Sequence, residues 1–277
     1  MSRRAIALAR PRVHHEALDW ARRVVTNGGS VSQSTMRAVS TFCDAIERAG
    51  IRDRFYRLNL FCGTGLSACL VPLYRGQTFG GAAYGSTTDT NNNFVSGDYA
   101  ETGASGGLKG NGTTKFLNTG LNCSSLSLGD RHISVYEIAK ATTAYSTSIG
   151  NRGTSALFEL DLESPITTYT LYASSAANAA RDTAYTQGGA HFVGSQAATT
   201  SSVLFKNGSS AATGATNATT APAAPIYVLA LRNGSITSDY SSARIGAYSI
   251  GLSMSSGQAL AYYSAMQAFQ TALARQV

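Results

Sequence analysis

Charge is scarce in this sequence: Asp, Glu, Lys and Arg together make up 13% of its 277 residues. A chain so poor in charge and so rich in Gly, Ser, Thr, Ala and Asn favours sheets with many tight turns over a helical enzyme core. Long hydrophobic runs are missing as well. No stretch approaches the roughly 20 apolar residues that span a membrane, and the N-terminal MSRRAIALARP has only a short apolar stretch between arginines, so neither a span nor a Sec-type leader is expected. Cys43, Cys62, Cys69 and Cys123 match no zinc-ligand spacing and include no Cys-x-x-Cys. They read as buried free thiols of a protein made in a reducing cytoplasm. His14, His15, His132 and His191 show no metal-binding spacing either, and the adjacent pair would point in different directions on a helix. No cofactor is expected.

The length suits one large all-β domain with an attachment segment. The net charge of +7 is unevenly placed: residues 1–57 hold eleven Lys/Arg against five Asp/Glu, and the remainder eleven against ten. Arg22, Arg23, Arg37, Arg48, Arg52 and Arg54 lie on this basic head among acids, which favours docking on an acidic protein surface, or a solvated face, over nucleic acid.

Val13, Ala17, Trp20, Ala21, Val24 and Val25 follow a helical period that ends at Asn27-Gly28-Gly29. A second helix carries Met36, Val39, Phe42, Cys43 and Ile46, with Ser30 and Gln33 as a capping box or Ser32 as a simple N-cap, and closes at Gly50. The apolar stretch 55–74 reads as a joint, and residues 76–93 as a polar, Gly-rich loop. Strand-like runs then recur at 115–117, 132–138, 156–162, 167–173, 190–194, 202–205, 226–231 and 243–250, the spacing of a sandwich. Five Asn-x-Ser/Thr triplets, at Asn111, Asn122, Asn207, Asn217 and Asn233, read as turns, and Lys206-Asn207-Gly208-Ser209 as a hairpin. The Ala/Thr/Asn-rich stretch 209–225 reads as an exposed loop. After Ser253 or Ser255 as N-cap, Ala259, Tyr263, Met266, Phe269 and Leu273 form the stripe of a closing amphipathic helix, with Tyr262 beside it. The expected organisation is a basic helical attachment segment over 1–75 and a β-sandwich over 76–277.

The stretches HFVGSQAATTSSVLFKNGSS, PIYVLALRNGS and ARIGAYSIGLSMSSGQALAYYSAMQAF together resemble the second half of laminin G-like, concanavalin A-like jelly rolls. FVSGDYAETGASGGLKGNGTTKFLNTGLN and NGGSVSQSTMRAVSTFCDAIERAG look like virion structural proteins of tailed phages and prophages. The resemblance implies a mainly β, concanavalin A-like jelly-roll sandwich with an N-terminal helical hairpin and a C-terminal helix. It further implies a non-enzymatic tail- or head-fibre subunit, made in the bacterial host cytoplasm and exposed on the particle. Such a subunit assembles as a homo-oligomer, a trimer for preference, on other virion proteins and contacts host surface glycans. A capsid decoration or tail-assembly part without a ligand is the alternative.

Three kinds of site are legible. Tyr84, Tyr99, Tyr145 and Tyr185, flanked by small polar residues, offer a stacking face and a hydroxyl to a sugar. Asp89 with Asn91, Asn92 and Asn93 supplies oxygen ligands of the kind calcium takes. Glu159, Asp161 and Glu163 alternate with leucines, so on a strand the three carboxylates share one face. This spelling resembles the active-site strand of family 16 glycoside hydrolases, and the resemblance implies Glu159 as nucleophile, Asp161 as helper and Glu163 as acid/base. Those hydrolases stack sugars on tryptophans, whereas the one tryptophan here, Trp20, falls in the helical head, and Pro165 ends the strand early.

Overall fold

A computed structural model describes residues 12–153, 156–164, 166–173, 179–186, 188–216 and 218–277. The N-terminal arginines Arg3, Arg4 and Arg10, the strand-breaking Pro165 and the turn expected at Asn217 lie outside them. The chain opens with α1 (His15–Thr26), α2 (Gln33–Arg48), β1 (Phe55–Asn59) and the short α3 (Leu66–Cys69). Then come β2 (Thr90–Asn92), β3 (Tyr99–Ala100), β4 (Gly107–Lys109), β5 (Phe116–Asn122), β6 (Arg131–Ala139), β7 (Ser146–Arg152), β8 (Leu157–Glu163), β9 (Thr168–Tyr172) and β10 (Ala180–Asp182). It ends with β11 (Ala190–Ala198), β12 (Ser201–Lys206), β13 (Ser209–Ala215), β14 (Pro225–Val228), β15 (Leu231–Asn233), β16 (Ile236–Ser238), β17 (Arg244–Gly251) and α4 (Ser256–Ala272).

The strands form two sheets packed face to face, which bears out the mainly β sandwich. The first runs β13-β12-β11-β6-β17-β4-β3, with β1 on the same edge of β17 as β4; the second runs β10-β9-β8-β7-β14-β5-β2, with β15 beside β7. Alternation explains the core. Ile133, Val135, Phe192, Leu204, Ile245 and Ile250 of the first sheet meet Leu117, Ile149, Phe158, Leu160, Leu162, Leu171 and Val228 of the second. Glu137 lies within that apolar layer and accepts from the hydroxyls of Ser148, Tyr169 and Tyr185; burial pushes its carboxyl above the usual range.

The opposite face of the first sheet is buried as well, and mixes apolar residues with polar ones such as His132, Ser134, His191 and Ser249. Tyr136, Ile138, Val193, Phe205 and Ala247 pack against Trp20, Val24, Val39, Phe42 and Ile46 of the hairpin and Tyr262, Met266 and Phe269 of α4. Each large side chain buried here contributes about 1.5–3 kcal/mol. Packing therefore crosses the boundary expected near residue 75. The presumed joint contributes β1, whose Leu58 and Asn59 pair with Ser249 and Tyr248 of β17, and Trp20 donates from Nε1 to the Val71 carbonyl at 3.1 Å.

Both expected helices form, α1 capped by His14 and α2 by Ser32, whose hydroxyl accepts from the Thr35 amide. All eight expected strand runs are strands. The stretch 209–225 was expected to be loop, but β13 occupies its first seven residues as the solvated edge of the first sheet, joined to β12 by Asn207 and Gly208 with φ of 51° and 78°. Two positive φ values in a row make the tight turn that suits strand twist, and Asn and Gly tolerate them best. In α4 the buried stripe includes Tyr262, and Tyr263 is half-buried beside it, the reverse of the expected order.

Ser255 caps α4: its hydroxyl accepts from the Gln258 amide at 3.4 Å while Gln258 Oε1 accepts from the Ser255 amide at 2.9 Å. Because one of the two bonds is long, Ser255→Ala should cost about 0.5–1 kcal/mol, the low side of N-cap losses. A urea titration that shows no change in midpoint would remove this cap from the stability of the helical layer.

Candidate functional site

The outer face of the second sheet is polar where its inner face is apolar. In β8 the parity that sends Phe158, Leu160 and Leu162 inward sends Glu159, Asp161 and Glu163 outward, as expected. Register then builds rows across the strands. Gly150 of β7 lies opposite Glu159, and Tyr172 of β9 opposite its other side; Thr147, Asp161, Thr170 and Arg181 form the next row. Gly150 is required, because a Cβ there would collide with that of Glu159.

This face is a pocket of about 340 Å³, lined by Tyr145, Arg152, Leu157, Asp161, Glu163, Tyr172 and Asp239. That volume is at the small end of ligand sites. Arg152 forms an ion pair with Glu159 and lies 3.7 Å from Asp161 Oδ2; Glu163 accepts from the Tyr172 hydroxyl and pairs with Arg181 at 3.3 Å. Burial, and then the neighbouring Asp161 charge, hold the Glu159 carboxyl well above the usual range. Burial also raises Asp161 to about 6, assisted by Asp239 and Glu163 and opposed by the Thr147 hydroxyl and Arg152. The Thr147 hydroxyl makes no hydrogen bond of ordinary geometry, however: Thr147 Oγ1, Asp161 Oδ1 and Thr170 Oγ1 are all buried without a partner among the described residues.

Two rim residues hold unusual backbone. Tyr145 and Asp239 have φ of 55° and 47°, and among the described residues only five other non-glycine positions are positive. A bulky side chain in this region is strained, and such strain concentrates where function fixes a side chain in place. Asp239 helps to fix it, since its carbonyl accepts from the Thr147 amide at 2.8 Å, two residues after Tyr145. Tyr145 is 68% exposed.

The remaining expected residues are elsewhere. The four tyrosines do not share a rim: Tyr185 is buried in the core on Glu137, Tyr99 is half-buried and donates to the Gly63 carbonyl at 2.7 Å, and Tyr84 stacks on Tyr56 with ring centroids 4.2 Å apart. Tyr172, Arg152 and Asp239 were not anticipated. The alternation of Thr168, Thr170 and Tyr172 with Tyr169 and Leu171 would have placed Tyr172 on the acidic face; nothing local marks Asp239.

The calcium set is overturned. Asp89 is buried, its Oδ1 taken by Arg57 and Tyr248 and its Oδ2 by Asn59. Asn91 closes a turn on Phe94, Asn92 bonds the Thr90 carbonyl and Asn93 the Thr114 carbonyl. Clusters of His14 with His15 and Glu16, or with Asp44 and Glu47, place ligand-type atoms close together. His14 Nδ1 accepts from the Glu16 amide at 3.2 Å, which leaves the proton on Nε2, facing Glu47 at 3.2 Å. That nitrogen is a donor and not a metal ligand. Contrary to expectation the two histidine rings stack, at 4.5 Å between centroids, because His14 is the cap and lies outside the helix.

In the hydrolase assignment, Asp161 and Glu163 line the pocket, but Glu159 is fully buried behind Arg152 and does not. The spelling Gly-x-Ser-x-Gly occurs at Gly103–Gly107, in the turn between β3 and β4 and not on a strand-to-helix elbow. Of the head arginines, Arg23 is bound to Asp19 and the carbonyls of Pro72 and Leu73, Arg52 to Glu16 and the carbonyls of Gly76 and Gln77, and Arg54 to Asp53. Arg22, Arg37 and Arg48 are exposed on the helical layer. The four cysteines are buried and free, as expected.

No family model matches the chain, and neither does any curated protein. Solved structures resemble it in part. The NanB sialidase of Streptococcus pneumoniae aligns at 12% identity over 54% of this chain and 26% of that one, with a TM-score of 0.42. A Trypanosoma rangeli sialidase aligns at 12% over 82% and 39%, with 0.47, and the binding domain of botulinum neurotoxin serotype D at 13% over 78% and 52%, with 0.48. The chain thus spans between about a quarter and a half of these longer chains. Likeness at this level says nothing of a shared ligand.

Proposed function

We propose that this chain is a glycan-binding subunit of a phage particle, non-enzymatic, held by its helical layer on other virion proteins and offering the pocket of the second sheet to a host surface sugar. The observation that carries the glycan reading is Tyr145: a strained, largely exposed aromatic ring above a floor of carboxylates, a tyrosine hydroxyl and a guanidinium. Sugars are bound by that pairing, an aromatic face for the apolar side of the ring and planar polar groups for the hydroxyls. The virion setting rests on the sequence resemblance. Docking through the helical layer is supported by its exposed Arg22, Arg37 and Arg48 and by Leu18, Val25 and Leu260, which leave apolar area on that side. Several copies on one particle, a homotrimer for preference, would multiply a weak single-site affinity.

Tyr145→Ala tests the reading. Titrated with the oligosaccharide that the wild-type chain selects from a glycan array, the variant should bind about tenfold more weakly, the loss of one central aromatic contact. Its melting temperature should stay close to wild type, because the ring packs little. Unchanged affinity would remove this pocket from glycan binding. Electron microscopy of the particle tests the setting: the pocket should face solvent.

A further inference from the structure

His191 is a titratable group placed where an apolar one would serve. It is fully buried on β11 beneath α4, edge-on to Tyr262 at 4.8 Å, stacked on Tyr263 at 6.1 Å and tilted to Tyr136 at 6.0 Å. Neither ring nitrogen has a hydrogen-bond partner among the described residues. A second buried imidazole, His132 on the neighbouring β6, is joined to the same helix through Ser249, Ser134 and the Tyr262 hydroxyl, at 2.7, 2.6 and 3.5 Å. The titratable and charged groups around the pair are few. Tyr136 of β6 and Tyr262 and Tyr263 of α4 face His191, Lys206 of β12 is turned to Asp182, and Arg54 and Asp130 lie near His132. Among the described residues no carboxylate faces His191. The helix above is fastened unevenly. Its C-terminal end is pinned by Arg275, which donates to the carbonyls of Leu60, Phe61, Glu101 and Gly246. Before the helix, Ser253 is held by Asp130 and Met254 by Ser195. Between them, from Ser256 to Tyr263, the one polar side-chain contact with the sheet among the described residues is the 3.5 Å approach of Tyr262 to Ser134.

We infer that the first two turns of α4 form an acid-operated flap: proton uptake by His191, with His132 behind it, releases them from the first sheet while the end held by Arg275 stays in place. A protonated imidazole carries two N–H donors and a charge; with the flap closed it finds no acceptor for either proton, and with the flap open it meets water. In the open form the imidazole has its ordinary value near 6.5, whereas burial lowers His191 to about 3 in the closed form. Opening therefore gains about tenfold for each pH unit below 6.5. The flap lies on the first sheet, away from the pocket of the second, so it neither needs nor tests the glycan reading.

The test is thiol labelling of the whole chain with dithiodipyridine, which reacts in acid. Ala259→Cys places a thiol on the buried side of the flap, and the native Cys43, Cys62, Cys69 and Cys123, all buried and free, report global unfolding. Relative to a free thiol at the same pH, the new cysteine should react at least about thirtyfold faster at pH 5 than at pH 7.5, and at pH 5 at least about tenfold faster than the native four. Adding His191→Phe should cut that rise by about tenfold or more. Equal labelling of all the cysteines at pH 5 would overturn the inference, because the whole molecule would then be opening, and so would a rise that His191→Phe leaves unchanged. Should Ala259→Cys fail to fold, hydrogen exchange of the wild-type chain at pH 5 reads the same opening. The amides of Ala259–Tyr263 should exchange at least about tenfold faster than those of Ile133–Tyr136 in β6, after correction for their intrinsic rates, and equal exchange would overturn the flap.

Discussion

Replacing Arg57 by alanine should destabilise the protein by about 3–5 kcal/mol, the range for breaking a buried ion pair from one side. Arg57 and Asp89 have wholly buried side chains. The guanidinium donates from Nε and Nη2 to Asp89 Oδ1 at 3.1 and 2.7 Å, and from Nη1 to the carbonyls of Tyr84 and Ser86 at 3.0 and 2.9 Å. It thus ties the Gly-rich loop 76–93 to β1, and its removal leaves a carboxylate in the core with only Asn59 and Tyr248 for company. The paired charge holds the arginine above its ordinary range despite burial, which on its own lowers it. The double variant Arg57→Met/Asp89→Leu should recover most of the loss, because the penalty lies in the orphaned charge more than in the missing attraction. Urea titration measures both. A loss below about 1 kcal/mol in the single variant would show that water or a rearranged loop reaches Asp89.

The second large effect is acid sensitivity of the interface between the helical layer and the first sheet. His132 and His191 are fully buried and neutral, their pKa values lowered by burial to about 4 and about 3. His132 bonds the Leu252 carbonyl and the Ser249 hydroxyl; His191 has no hydrogen-bond partner among the described residues and sits edge-on to Tyr262 at 4.8 Å. In the unfolded chain both titrate near 6.5, so their contribution is intact above that pH. It is lost as pH falls, until about 4 for His132 and about 3 for His191. Between pH 6.5 and 4 each accounts for about 3 kcal/mol. Glu137, Glu159 and Asp161 have raised pKa values and work in the opposite sense, since their neutral forms suit burial and their contribution fades as pH rises. The measurement is therefore a difference: the stability of His191→Phe relative to wild type should rise by about 3 kcal/mol between pH 7.5 and 4. A constant difference across that range would mean that His191 accepts its proton in the folded state.

What could be read from the residues beforehand divides along physical lines. Strands with one apolar parity, such as Leu157–Glu163 and Thr168–Tyr172, declare both their identity and their outward face, and so the acidic face was legible. β7 was not: Ser146, Thr147, Ser148 and Asn151 are buried by register and hydrogen bonding, and hydropathy cannot see that. β1 was hidden because its sheet is covered on both sides: all five of its residues are buried, Arg57 and Asn59 among them, so no polar-out alternation marks it as a strand. Among candidate site residues, Tyr145 and Tyr185 look alike in sequence, both among small polar neighbours, yet one is a rim residue and the other a core residue; only the pairing of distant strands separates them. Asp89 failed as a ligand because its partner, Arg57, is remote in sequence and was counted with the surface charge of the head.

The covered first sheet has a consequence for any array of these molecules. With helices over one side and strands over the other, the broad sheet face left open among the described residues is that of the second sheet, and it points away from the helices across about 20 Å of packed layers. Orientation then follows from the packing of the layers. Copies seated by their helical sides on a common lattice would present their pockets in parallel, at a pitch set by the lattice. Any surface facing such an array would meet a fixed grid of contacts and not a set of independent tethers.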